Sequence, residues 1–496
     1  MSVATSPDLA STLTADADFI VLTNDRGVRF SLPATRTCIT SFVLLEQGRW
    51  FEREVEFLHR LVTPGMIALD VGANVGVYAL PFGRLAGPAG QVYAYEPSST
   101  NRRHLERSLA LNDLGNVELS ALALSNFSGN GCLKLGESGE LHELVAAASA
   151  SEATETVEVS TLDAELARLQ WPRVDFVKLD AEGQEQAILD GAASFFERYS
   201  PLVMFEVKHR WEINLGLLAS FKELGFGIYR LLGDASMLVP FDSSEDMDPY
   251  ELNFFAVRPE QATELAGRGL LAPGLENISL SENERATAID AYCGLPFART
   301  MEVTAADVTD CPYADALVAH SACRFLPQLS PGRRFALMQG ALQAILDYCS
   351  TSNSPAALSS LARIAIDCGS RKLGNDVMQH LLEVADAIDQ PFLPVAPRFE
   401  SIDGAQVETW FLHSAEETFE FNRAYSSFFG HDLGHIEVLA AHPNAAPALL
   451  RRLVMAGLND GHGPNHFRFA LARLQAALPE SHGAWLGAVQ HLDAKT

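Results

Sequence analysis

The chain has 496 residues, is 48% hydrophobic and carries 63 acidic against 36 basic side chains, a formal net charge of -27. A surface this acidic repels phosphate backbones and anionic headgroups, which argues against nucleic acid and membrane surfaces as partners. The length exceeds what one core usually absorbs, so two domains are expected. Seven cysteines are scattered with no Cys-x-x-Cys pair, which indicates neither a disulfide framework nor a zinc site. The first residues have no basic start followed by an apolar stretch, and no apolar run approaches the ~20 residues of a membrane helix. These features lead to the expectation of a cytoplasmic protein.

Phe42–Val62 reads as a helical lead-in. Short apolar runs then follow at Met66–Val71, Val92–Tyr95, Val117–Leu122, Val174–Leu179, Leu202–Val207, Ile228–Leu232 and Asn253–Val257. Helical patterns separate most of them: Val77–Leu85, Ser98–Asn112, Gln184–Phe196 and Leu215–Leu224. Strands alternating with helices predict right-handed crossovers and a doubly wound, mostly parallel α/β sheet. Between Phe127 and Thr161 the pattern loosens: "GCLKL" and "ETVEVST" read as extra strands around a loop at Glu137–Thr156, either a cover over a site or tolerated surface. Arg258–Arg285 is polar with Gly and Pro, so a linker is expected at 261–285 between a domain at 1–260 and an all-α domain at 286–496. Helical patterns in the latter include Arg333–Tyr348, Ala356–Ile366, Gly374–Ala387, Glu417–Phe428 and Ala446–Ala456, with no clean fixed period. Its role reads as a module for oligomerisation, for a protein partner or for a large acceptor.

The chemistry-bearing motifs sit at predicted strand ends. "LDVGANVGVYA" passes from a strand ending at Asp70 through Gly72, Asn74 and Gly76 into a helix. Such a turn brings backbone close to a ligand, and the helix start favours an anionic group. There is no Gly-Lys-Ser/Thr, so the turn is not a phosphate-gripping P-loop. "QVYAYEP" then ends in Glu96, a carboxylate suited to the two hydroxyls of a ribose. NAD enzymes and S-adenosylmethionine enzymes both use that arrangement. The Gly-x-x-x-Gly spacing and the adjacent Asp70 favour the latter, because an acid repels a pyrophosphate and tolerates an ammonium and a sulfonium. "LSALALSN" places the small Ala121 and Ala123 where a flat ring could enter. "VDFVKLDAEGQEQAILDGA" puts Asp180 at a strand end, with Lys178 inside the apolar run and expected to pair with a carboxylate. "PLVMFEVKHRW" closes another strand at Glu206, with His209 three residues on.

Taken together, "WFEREVEFL", "PGMIALDVGANVGVYA", "YAYEP", "ALALSNFSG", "STLDAEL", "DFVKLDAEGQEQAILDGA" and "MFEV" resemble the FkbM family of S-adenosylmethionine-dependent methyltransferases over Phe42 to Val257. One departure is Ala181, where the family usually has valine. The resemblance implies a seven-stranded Rossmann-like sheet closed by an antiparallel strand at Tyr250–Pro259. It implies O-methylation of a saccharide or secondary metabolite. It also implies that Asp70, Gly72, Asn74 and Gly76 cup the methionine part of the cofactor, that Glu96 holds the ribose, and that Ala123 and Ser125 lie near adenine. Methyl transfer is an in-line displacement in which an acceptor hydroxyl must lose its proton. Asp180, Glu206 and His209 are the nominees for that task, with Lys178 beside them. Carboxylates on neighbouring strand ends could share magnesium, but two are too few to specify a metal. His431 and His435 stand at i, i+4 spacing without an evident third ligand. The rival readings are an NAD-dependent oxidoreductase on a similar sheet and a non-catalytic scaffold that works through its helical half.

Overall fold

The structure is a computed structural model that describes residues 18–136, 142–145, 153–209, 212–233, 236–242, 247–384, 388, 391–402 and 407–493. It divides into two units, and neither is a continuous stretch of chain. The first combines 1–228, 252–261 and 426–496; the second combines 229–251 and 262–425. This departs from the expected division at 261–285. Pro259–Gly267 is a helix, and residues 426–496 group with the first unit.

The physical reason lies at Glu46, fully buried on the helix Ile39–Gln47. Its carboxylate accepts hydrogen bonds from the amide and hydroxyl of Ser427 and sits 3.5 Å from the Arg452 guanidinium, itself fully buried on the helix Pro447–Asn459. The Trp485 indole N–H also donates to the Leu45 carbonyl at 2.8 Å. A buried carboxylate without these partners would be strongly unfavourable, so the chain terminus and the lead-in helix stabilise each other.

Within the first unit, six strands lie in the spatial order Asn253–Val257, Leu202–Glu206, Phe176–Leu179, Ile67–Val71, Gln91–Tyr95 and Val117–Ser120. All neighbours are parallel except Asn253–Val257, which pairs antiparallel with Leu202–Glu206 and is the expected closing strand. The three central strands are buried almost throughout, which is why they read as apolar runs rather than alternating ones. Winding reverses beside Ile67–Val71: one neighbour follows it directly in sequence, the other comes from a later crossover. Open α/β sheets bind ligands outside the carboxyl ends of their strands at such a reversal.

Local departures from expectation have identifiable causes. The lead-in is two helices, Ile39–Gln47 and Arg53–Leu61, because Gly48 takes a left-handed conformation at the first C-terminus. The helix expected over Gln184–Phe196 breaks into Glu185–Asp190 and Ala193–Arg198. A side chain at Gly191 would come within 2.6 Å of the Ser125 carbonyl. A hairpin of Phe19–Thr23 and Arg29–Pro33 precedes the lead-in, and the sequence reading missed it although "NDRG" marks its turn.

The two extra strands are present, in a separate four-stranded sheet ordered Ala123–Leu124, Thr154–Ser160, Gly129–Lys134 and Glu143–Val145. Much of the loop expected at Glu137–Thr156 lies outside the described residues.

In the second unit, Tyr229–Leu232 pairs antiparallel with Met237–Pro240. Helices follow, including Glu282–Cys293, Ala314–Phe325, Pro331–Cys349, Pro355–Asp367, Arg371–Val384 and Val407–Asn422. Their core holds a buried ion network. Arg363 Nε meets Asp367 at 2.8 Å, His320 Nε2 meets the same carboxylate at 2.7 Å, and Arg363 Nη1 reaches Glu400 at 3.3 Å.

The Glu46 interaction gives the first prediction. Arg452→Met fills the volume but leaves Glu46 short of its cation, so chemical denaturation should show a loss of about 3–5 kcal/mol. A change within measurement error would mean that Arg452 does not support the first unit.

Candidate active site

Four carboxylates from the sequence reading reach the carboxyl ends of adjacent strands: Asp70, Glu96, Asp180 and Glu206. Lys178 stands beside Asp70 in the parallel register of Phe176–Leu179 on Ile67–Val71, and residues in register on neighbouring strands share a sheet face. Its ammonium lies 2.9 Å from Asp180 Oδ2 and 3.7 Å from Asp70 Oδ1, and it donates to the Gly72 carbonyl at 3.1 Å. Burial alone would discharge a lysine here, but Asp180 and Asp70 outweigh it and hold the ammonium more firmly than in water. Lys178 therefore pairs as expected and stays charged, which leaves it unable to take a proton.

Asp70 is only 4% exposed, and its carboxylate is held by the Lys178 ammonium and by the Ala79 backbone amide. Burial raises its pKa, Lys178 opposes the rise and Asp180 adds to it. The turn that follows is held by its own backbone. The amides of Gly72 and Ala73 both donate to the Tyr95 carbonyl at 3.0 Å. Gly72 has φ +78°, and a Cβ there would lie 1.8 Å from the Asp180 carbonyl oxygen. The glycine is thus required by the neighbouring strand end, where the sequence reading assigned the close approach to a ligand. Gly76, at φ +96°, makes room for Leu105 and Leu80. Asn74 takes a left-handed φ of +47°, and its side-chain oxygen is buried without a partner.

Glu96 is buried and accepts the amide of Asn74 on Oε2 and the amide of Ser98 on Oε1, both at 2.8 Å. The Asn101 side chain also bonds this carboxylate, which has about four lone-pair directions, so acceptor capacity for a further donor remains. Burial pushes its pKa up to about 7, and the Ser98 and Asn74 amides hold it from rising further.

Glu206 ends the next strand. Burial raises its pKa well above the ordinary carboxylate range, and Asp180, Glu182 and Glu52 add to the rise. A hydrogen bond between its carboxyl and Asp180 acts in the same sense, so the proton rests on Glu206.

Ser125 is buried, and its hydroxyl donates to Gln184 Oε1 at 3.1 Å. Ala123 packs with Leu133, Val157 and Val159 inside the small sheet. Its strand pairs with Thr154–Ser160, and Ala121 is exposed. His209 lies on the short strand Lys208–His209, and its side chain lies outside the described residues. Among the described residues, no group of three or more His, Cys, Asp and Glu side chains is placed to hold a metal ion. His431 bonds the Ser427 carbonyl and Asp460 at 2.9 and 3.0 Å.

The sequence reading missed three residues. Tyr78 donates its hydroxyl to Glu52 Oε2 at 2.5 Å, its ring 5.3 Å from the Lys178 ammonium. Asn253 Nδ2 donates to Glu52 Oε1 at 3.3 Å. Glu52 precedes a helix, where an acid is ordinarily read as a dipole partner, so its position carried no signal.

Residues 70–228 match the family model described as the methyltransferase FkbM domain. Among solved structures, the chain is similar to a methyltransferase FkbM from Methylobacillus flagellatus KT, at 14% identity over 39% of this chain and 44% of that one, with a TM-score of 0.28. It is also similar to an S-adenosylmethionine-dependent O-methyltransferase from Thermotoga maritima, at 15% identity over 41% and 64% of the two chains, TM-score 0.24. An rRNA methylase from Streptococcus thermophilus matches at 10% identity over 41% and 91%, TM-score 0.23. The chain spans less than two thirds of the length of the first two. A search of the curated proteins finds no match. Among the described residues, no helix is long and apolar enough to cross a membrane.

Gly72→Ala should be the most damaging single-methyl change at this site. The strained backbone alone costs about 1–3 kcal/mol, and the collision with Asp180 adds to it. Equilibrium denaturation measures the loss; a neutral result would contradict the strand-end contact.

Proposed function

We propose that the first unit is an S-adenosylmethionine-dependent O-methyltransferase, with a small-molecule acceptor that offers a hydroxyl, of the saccharide or secondary-metabolite class. The observation that carries this reading is the buried Asp70 carboxylate together with Asn74 Oδ1, which is buried without a partner, at a reversal in the winding of the sheet. A buried acceptor left without a donor is an unfavourable arrangement unless a donor-bearing ligand completes it. An ammonium and a sulfonium fit beside these acceptors, and the remaining acceptor capacity of Glu96 suits a ribose hydroxyl. A pyrophosphate does not fit, since it would meet Asp70 with like charge, and this weighs against the NAD reading.

When bound, S-adenosylmethionine supplies an electrophilic methyl group. Asp70, Gly72, Asn74 and Gly76 would hold its methionine part and Glu96 its ribose. Ser125, bonded to Gln184, and Ala123 would lie toward its adenine. On the acceptor side, Asp180 is the base: it is the carboxylate that Lys178 orients, and it lies beside Glu206, where burial and the neighbouring carboxylates hold the proton. An acceptor hydroxyl hydrogen-bonded to Asp180 gives up its proton there as its oxygen becomes a nucleophile. Alignment of the reacting groups can contribute roughly 7–11 kcal/mol, so proton removal need not carry the whole rate.

Two outcomes test this. Mass spectrometry of candidate glycans incubated with isotopically labelled S-adenosylmethionine should show a methyl-sized gain. Asp180→Asn should abolish that gain while affinity for S-adenosylhomocysteine stays intact, and full transfer by the variant would remove Asp180 as base.

Glu96 gives a second, pH-dependent outcome. Its ionised form accepts ribose hydroxyls, and its pKa near 7 means that form is lost as pH falls. Calorimetric affinity for S-adenosylhomocysteine should therefore rise between about pH 6 and about pH 8. Glu96→Gln should flatten the dependence and weaken binding about 10- to 100-fold, the worth of a hydrogen bond to a charged group. An unchanged affinity in the variant would show that Glu96 does not face the ligand.

A further inference from the structure

Glu52 lies outside the matched stretch of 70–228, yet its side chain belongs to the same cluster. It stands at the N-terminal boundary of the helix Arg53–Leu61 and makes no side-chain capping bond there. Its two oxygens are taken up elsewhere, by the Tyr78 hydroxyl on one and the Asn253 amide on the other. Each partner leads to the acceptor-side carboxyls by a different route. Tyr78 presents its ring to the Lys178 ammonium, which in turn holds Asp180. Asn253 is the antiparallel register partner of Glu206. A carboxylate that gives up a capping role and binds two such donors fixes both arms of the pair at once.

We infer that Glu52 is a positioning residue of this site, holding Tyr78 and Asn253 and through them the Asp180–Glu206 carboxyl pair. The inference rests on the reading of Asp180 as base, and it adds a residue from an element that the matched domain does not include. The groups that face Glu206 are Asp180, Glu182 and Glu52; those that face Glu52 are Tyr78, Asp180 and Lys178, with Glu54 close to Tyr78 and Asp70 close to Lys178. Burial raises the pKa of Glu52 itself, the Tyr78 hydroxyl and Lys178 oppose that rise, and the charge so held adds to the rise at Glu206, so Glu52 acts through charge as well as geometry. With the proton kept on Glu206, Asp180 is left to receive the acceptor proton.

The test uses the full chain without ligand and reads the carboxyl groups directly. Infrared difference spectra taken across pH should show a protonated-carboxyl C=O band that persists to neutral pH and vanishes in Glu206→Gln. In Glu52→Gln that band should titrate away lower by about one pH unit or more, because one negative neighbour is gone. Tyr78→Phe should move it in the same direction by less, since Glu52 loses the hydroxyl that stabilises its charge.

An unchanged midpoint in a cooperatively melting Glu52→Gln protein overturns the inference. If Glu52→Gln does not melt cooperatively, Tyr78→Phe decides, and an unchanged midpoint there overturns it equally. Absence of the band from the unaltered protein overturns it too. S-adenosylhomocysteine calorimetry on the same samples separates the two claims: binding without a band shift sinks only the role of Glu52, and a band shift without binding sinks the methyltransferase reading.

Discussion

The site depends on one buried ammonium. Lys178 stands inside a fully buried strand between the carboxylates of Asp70 and Asp180, and an isolated charge at that depth would cost several kcal/mol. Its two partners lie at the ends of adjacent strands, so the ion network also fixes how those strand ends approach. The Gly72 turn follows from the same constraint. With Asp180 drawn against Asp70 through Lys178, the Asp180 carbonyl occupies the space a side chain at position 72 would need.

From that core the two halves of the chemistry separate. On one side, Asp70, Glu96 and the unpartnered side-chain oxygen of Asn74 form an acceptor-rich surface, the side proposed for a cationic ligand with ribose hydroxyls. On the other side, Asp180, Glu206 and Glu52 crowd together, and crowding leaves the proton on the most deeply held member of the pair. Neighbouring carboxyls pushed apart in proton affinity are a recurrent source of acid and base assignments in enzymes. Lys178 serves both sides without changing its own charge.

Much of this was legible in the sequence because period and position were enough. Asp70, Glu96, Asp180 and Glu206 each close a short apolar run, and in a mostly parallel sheet the carboxyl ends converge. Lys178 was legible as a paired charge since nothing else explains a lysine in "FVKL". The remainder depended on contacts that sequence spacing does not encode. Gly191 interrupts a helix because of the Ser125 carbonyl, and Ala123 is a core residue because its strand joins a second sheet. The make-up of the first unit hinges on Glu46 meeting Arg452, a pair separated by 406 positions. Glu52 was hidden because an acid at a helix start has an ordinary explanation. The helical second unit showed its element types through 3.6-residue periodicity, while its buried Arg363–Asp367–His320 network carried no sequence signature.

The most direct measurement is calorimetric titration of the full-length protein with S-adenosylhomocysteine and, separately, with NADH. The account predicts saturable binding of S-adenosylhomocysteine, abolished when Asp70 is replaced by Asn in a protein that still folds, and no binding of NADH. Saturable NADH binding with no response to S-adenosylhomocysteine would contradict it.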